Sequence, residues 1–423
     1  MSRGRELVAL VIALALSVLA FLLVGLGKHR AVDLEGLRLA GYIAVVFLTI
    51  HAVLWWRASD AYHVLLPIVA LLSGLGTAIV YRIDPALGRA QITWLAVGGA
   101  AAVATLLLLR DYERLKEYKY TFALTGVLFL LAPIFIGKAE NGAKLWLHIG
   151  SLSFQPSEIA KLFMVIFFAA YLENKHELLS SSTKRFFGLW VPEMKHLGPL
   201  ILMWVVSLAV LVFERDLGTS LLFFGAFLIM LYVATGRPMY TLIGGLLFLA
   251  GAYMSYRMFG HVRVRVDIWM HPWLNPKGDG YQLVQSLIAI ASGGLTGAGL
   301  GRGYPTFIPV VSTDFIFSAL AEELGLVGAF GILVAYALFT ARGLRTAMRS
   351  EEVFGKLLAL GLTGAFALQT AIIIAGVTRV IPLTGITLPF ISYGGSSILA
   401  NFILLALVLT VSARKEPHER QNR

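Results

Sequence analysis

Residues 6–27 read ELVALVIALALSVLAFLLVGLG. Only the leading glutamate is ionisable, and about 20 apolar residues are what a helix needs to cross a hydrocarbon core. Arg3 and Arg5 precede the run as they would in a secretory signal. The run is too long for that and no small-residue cleavage site follows, so it reads as an uncleaved first span. Similar stretches recur at 38-56, 62-81, 91-109, 120-137, 156-173, 197-213, 217-235, 239-259, 313-341, 354-377 and 395-413, giving twelve expected spans. Composition agrees. The 423 residues are 58% hydrophobic and 14% charged, where a soluble protein carries about 25% charged residues, and the mean hydropathy is +0.79. A soluble enzyme and a disordered chain are both excluded. The absence of cysteine excludes disulfides, thiolate metal sites and cysteine nucleophiles. The net charge of +11 is read as loop charge that sets orientation and meets anionic membrane lipid, not as a nucleic-acid surface.

An even number of spans puts both termini on one side. Most Lys and Arg then fall in the N-terminus, 110-119, 173-196, 342-356 and the tail, which makes that side cytoplasmic. Two external segments are long, 138-155 and 260-312. The second is basic, which calls for an anionic ligand. Its apolar stretch at 283-292 is too short to span and reads as re-entrant or interfacial.

Ionisable residues inside spans mark functional sites by default. In Gln155-Pro156-Ser157-Glu158-Ile159-Ala160-Lys161, Pro156 and Ser157 suit a first helical turn, and Glu158 and Lys161 share one face. They read either as a self-paired cap or as an acid and base lining an outward cavity. Lys144 is a snorkelling or phosphate-binding cation. Glu214-Arg215-Asp216 makes a polar external turn with Asp216 as helix cap. His271 has no second histidine at ligand spacing. Gly299-Leu300-Gly301-Arg302-Gly303 is a weak likeness of a phosphate cradle. Asp314 suits the cap of a span carrying Glu322 and Glu323. After Arg379, the stretch Pro382–Ser397 has too many prolines and glycines for a regular helix, and its hydroxyls are expected to face a covered cavity. All these segments fall outside under one topology, as a single site for an anionic head with an apolar tail requires.

Six strings together resemble the SEDS family (shape, elongation, division and sporulation): NGAKLWL at 141-147, QPSEIAK at 155-161, DLGTS at 216-220, GDGYQLVQS at 278-286, TDFIFSALAEELGLVG at 313-328 and PLTGITLPFISYGGSS at 382-397. The resemblance implies an all-α polytopic membrane protein with a ten-helix core over 58-413, two additional N-terminal helices in 1-57 and a cytoplasmic tail at 414-423. It implies polymerisation of lipid II, with a polyprenyl-pyrophosphate-linked glycan as donor, at the outer face of the bacterial cytoplasmic membrane. It also implies a class B penicillin-binding transpeptidase as partner. No nucleic acid and no fixed metal follow from it, although a divalent cation would assist pyrophosphate departure.

Glu158, Lys161, Asn275 and Asp279 are the catalytic candidates. Lys144, Gln155, Ser157 and Asp216 are candidate substrate contacts, and so are Tyr281, Gln282, Gln285, Arg379, Ser392 and Tyr393. Two positions depart from the family pattern. Asn275 stands where the pattern has its proposed general base, an aspartate, and Leu145 where an arginine is common. An amide is no base near neutral pH, which leaves Asp279, Asp267 or Glu158 for that role. Two other readings stay open: a non-catalytic scaffold for a transpeptidase, which Asn275 favours, and a lipid II flippase, which would need polar access from both faces.

Overall fold

The computed structural model describes residues 3–109, 111–140, 143–149, 152–181, 183–186, 189–192, 198–210, 212 and 216–413. Its helices are α1 (Arg3–His29), α2 (Leu34–Arg57), α3 (Leu65–Ile83), α4 (Pro85–Leu108), α5 (Lys119–Ile136), α6 (Pro156–Ser181), α7 (Gly198–Ala209), α8 (Leu217–Thr235), α9 (Pro238–Met258), α10 (Gly260–Met270), α11 (Tyr281–Ser292), α12 (Ile316–Arg349), α13 (Val353–Val377) and α14 (Gly395–Ala413). Among the described residues, ten are long and apolar enough to cross a membrane, and they match ten of the twelve expected spans. The other two expected spans correspond to α6, which carries Glu158, Lys161 and Glu173, and to the short α7. Large apolar side chains such as Val8, Ile12, Phe135 and Leu246 stay exposed. Only a hydrocarbon surround makes that favourable.

The chain forms two compact units, 1–110 with 267–342 and 369–423, and 111–266 with 343–368. In the first unit α1 packs on α2 and α3, and α4 packs on α2, α3 and α14. Close packing needs small residues. A Cβ on Gly74 of α3 would sit 1.9 Å from Ser17 Oγ of α1, and one on Gly98 of α4 would sit 2.9 Å from the Phe402 ring of α14. Starts are capped. Asp33 accepts from the amides of Glu35 and Gly36 at 3.0 and 3.2 Å, and Asp84, followed by Pro85, accepts from Ala86 N at 2.7 Å. At the start of α1 the fully buried Glu6 carboxylate pairs with Arg3, with His51 Nδ1 at 3.3 Å and with His63 Nδ1 at 3.4 Å. Arg3 also donates to the carbonyls of Ala58 and Ser59.

In the second unit Asp111 caps a 3-10 turn, Tyr112–Tyr118, that leads into α5. The segment expected as a plain external loop instead forms a three-stranded antiparallel sheet: β1 (Lys138–Glu140), β2 (Ala143–Ile149) and β3 (Leu152–Phe154), with Leu147 opposite Phe154. A second hairpin pairs β4 (Thr183–Phe186) with β5 (Leu189–Pro192). Helices α5, α6, α8 and α9 pack in sequence, with Phe168 and Phe227 rings 4.9 Å apart. The indole of Trp204 on α7 donates to Leu247 O on α9 at 2.8 Å.

Candidate functional site

In the second unit, β3 leads through Gln155 into the first turn of α6. Glu158 N donates back to Gln155 O at 3.3 Å. One turn on, Lys161 Nζ lies 2.8 Å from Glu158 Oε2, with the two residues 3% and 8% exposed. The pair is thus closed and buried, as the self-paired reading has it. Ser157 Oγ is buried and finds no hydrogen-bond partner among the described residues. Asp216 caps α8, accepting from Thr219 N at 2.8 Å and from Thr219 Oγ1 at 2.6 Å. Burial raises its carboxyl pKa. The Thr219 bonds and the Arg265 charge oppose that rise, and the Glu158 charge adds to it. The charges of Arg265 and Glu158 thus both act on Asp216. Lys144 lies in β2, but its side chain is outside the described residues, as are Asn141, Glu214 and Arg215.

In the first unit, residues 275–280 make a tight turn around Asn275. Its carbonyl accepts from Gly278 N and Gly280 N, both at 3.2 Å. Space requires a glycine at 280, where the obstructing atom is backbone, while at 278 it is the movable end of the exposed Asn275 side chain. A Cβ at Gly278 would lie 2.3 Å from the Asn275 amide nitrogen, and one at Gly280 would lie 2.4 Å from Pro272 O. Asn275, Lys277 and Asp279 are exposed, and α11 then presents Tyr281, Gln282 and Gln285 half-buried. The short helix expected as re-entrant or interfacial is tied to its neighbours by Ser286 Oγ, 2.7 Å from Ser318 Oγ and donating to Val377 O at 3.0 Å.

The expected hydroxyl-lined cavity at 382–397 is instead a web of internal bonds. Ser392, 2% exposed, accepts from Leu388 N at 2.9 Å and donates to Thr313 O. Tyr393 N donates to Ser312 O at 2.8 Å. Thr387 and Ser397 hydroxyls meet at 2.8 Å, and Gln369 donates to Thr387 O at 3.0 Å. Irregular backbone among apolar helices must satisfy its own polar groups first, and these hydroxyls are consumed doing so. Arg379, left-handed at φ 63°, ends α13 and donates from Nε to Trp269 O at 2.8 Å and from Nη2 to Met270 O at 2.9 Å.

The glycine run at 299–303 is not an open phosphate cradle. Gly301 N donates to Glu323 Oε2 at 2.9 Å and Tyr304 N to Glu322 Oε1 at 2.8 Å, so the chain's own carboxylates occupy it. Arg82 Nε lies 2.7 Å from Glu323 Oε1, and its Nη2 donates to Gly303 O at 2.5 Å. Arg82 was open to the criterion that found Glu158, being a charge within an apolar span, but its partner is more than 200 positions away. Helix α12 begins at Ile316, two turns before Glu323 and with Asp314 outside it, and its ladder breaks at Gly325 (φ 70°, ψ −173°). The freed amides of Leu326 and Val327 donate to Gly294 O and Leu295 O at 2.9 and 3.1 Å. Among the described residues no group of three or more His, Asp or Glu is placed to hold a metal ion.

Apolar helices enclosing buried ion pairs, with irregular backbone sealed by protein, define a multi-pass membrane protein. The pattern of the FtsW, RodA and SpoVE family, described as cell cycle protein, matches residues 57–417, and the chain belongs to that family. It is 42% identical to the peptidoglycan glycosyltransferase RodA of Mycobacterium tuberculosis, over 97% of this chain and 90% of that one. It is 36% identical to stage V sporulation protein E of Bacillus subtilis, over 67% of this chain and 76% of the other. Among solved structures, it resembles rod shape determining protein RodA of Thermus thermophilus with a TM-score of 0.61 and 27% identity, covering 83% of this chain and 96% of that one. It also resembles a chain of a peptidoglycan synthase complex, described for its coordination of polymerization and crosslinking, with a TM-score of 0.67 and 28% identity, covering 83% of this chain and 97% of that one.

Proposed function

We propose that this protein is a peptidoglycan glycosyltransferase that extends glycan strands from lipid II at the outer face of the cytoplasmic membrane, with both termini in the cytoplasm. The observation that carries this reading is the match to relatives named for that activity over nearly the whole chain, with the QPSEIAK motif folded as a buried Glu158–Lys161 pair. In the reaction the acceptor sugar hydroxyl gives its proton to a carboxylate and its oxygen bonds to the donor sugar's anomeric carbon. The bond from that carbon to the polyprenyl pyrophosphate breaks, and the pyrophosphate departs with the electron pair. A carboxylate takes the proton and cations stabilise the leaving group. Exposed Asp279, four residues after Asn275, is the assigned base, and Asn275 orients the turn. The basic segment that carries Asp279 supplies positive charge. A class B penicillin-binding transpeptidase is the proposed partner, since strands must be crosslinked as they form.

A scaffold role for that transpeptidase is the second reading, favoured by the amide at position 275. Purified protein given labelled lipid II, with and without the cognate transpeptidase, separates the two. Polymer on a gel supports the enzyme. Its absence under both conditions supports the scaffold, and lipid scrambling in proteoliposomes would support a flippase.

A further inference from the structure

Residues 1–56 lie outside the family match, yet relatives named RodA align through them. Helix α1, which fills much of that segment, meets the extracytoplasmic loop through bare backbone. A Cβ at Gly27 would lie 2.2 Å from Leu300 O, and one at Gly301 (φ +83°) would lie 2.8 Å from Val24 O and 3.1 Å from Lys28 N. Beside this contact Lys28 Nζ donates to Arg82 O at 3.2 Å. The same Arg82 holds Glu323 and Gly303, and Glu323 in turn holds Gly301. The loop strand that begins at Gly293 closes the break in α12 through Gly294 and Leu295. One continuous set of contacts thus runs from α1 through the 299–304 turn and its carboxylates to the helix break.

We infer that α1 is a brace for this part of the enzyme, with Gly27 and Lys28 as positioning residues that hold the 299–304 turn, and with it the Gly325 break, in the working conformation. The turn's amides and carbonyls are spoken for by Glu322, Glu323 and Arg82, so it is a folded element with one preferred seat and not a free loop. Such an element transmits displacement at its rim to what it is bonded to. A side chain at position 27 leaves no room for the present seat, because the obstructing atom is a backbone carbonyl. The functional half of this inference rests on the glycosyltransferase reading; the structural half does not.

The chain has no cysteine, so Thr306→Cys, an exposed site in the turn that follows, takes a single spin label. Gly27→Val is expected to mobilise that label and to lower lipid II turnover about tenfold with little change in KM. Gly41→Val on α2, where nothing lies within 4 Å of a new Cβ, should leave both readouts as they are. Lys28→Ala, a surface change that cannot block folding, should mobilise the label less but in the same direction. An unchanged label spectrum in Lys28→Ala and in folded Gly27→Val overturns the brace. A mobilised label with unaltered turnover overturns its role in the reaction. If the unsubstituted protein makes no polymer, the activity reading fails while the label still decides the brace.

Discussion

Trp269 and Arg379 hold each other in both directions. The indole Nε1 donates to the Arg379 carbonyl at 3.1 Å, and the Arg379 Nε returns a bond to the Trp269 carbonyl at 2.8 Å. The pair fastens the end of α10, six residues before Asn275, to the end of α13. Arg379 pays for its left-handed backbone with these bonds.

Arg379→Lys keeps the charge but cannot span two carbonyls with one planar fork. We expect polymerisation to fall about tenfold, as loss of a charged hydrogen bond at this junction implies, with no change in membrane insertion. Comparing single-turnover rates of the two proteins checks this. Equal rates would mean the latch is idle.

Glu158 and Lys161 are buried together, so removing one takes the nearest opposite charge away from the other. Lys161→Met should destabilise the folded protein by about 3–5 kcal/mol, read as a lower unfolding temperature in detergent. The double variant Glu158→Gln, Lys161→Met should recover most of that loss and remain inactive. Recovered activity would reduce the pair to an insertion device.

Asn275→Asp introduces a carboxylate into an exposed turn whose bonds use only the residue's main chain, so the fold should tolerate it. Polymerisation should rise or hold, while Asp279→Ala should lower it by at least about a hundredfold if Asp279 is the base. Retained activity in Asp279→Ala would move the base to Glu158 or Asp267.

Asp216→Ala removes a cap that satisfies both the amide and the hydroxyl of Thr219. A loss of about 1 kcal/mol is expected. Asp216→Asn should recover part of it, because burial already disfavours the charged form. Thermal unfolding of the two variants side by side gives the answer.

The spans were legible because about 20 apolar residues have one use, and Glu158 with Lys161 because an ion pair inside such a run is costly. Asp216 as a cap followed from its place before an apolar helix. What stayed hidden runs through backbone atoms. Carbonyls of Trp269 and Met270 under Arg379, and amides of Gly301 and Tyr304 under Glu323 and Glu322, carry no side-chain signature. The hydroxyls at 387–397 looked like cavity lining because sequence shows their number and not their partners. The sheet over 138–154 was missed because two of its three strands are only three residues long.

The Glu6 cluster bears on how the chain enters the membrane. Arg3 lies on the same helix and can pair with the carboxylate at once, whereas His51 near the far end of α2 and His63 ahead of α3 join it only after those stretches have left the ribosome. The first helix thus carries its own counter-charge into the bilayer, and the two imidazoles complete the cluster when α2 and the segment before α3 fold against it.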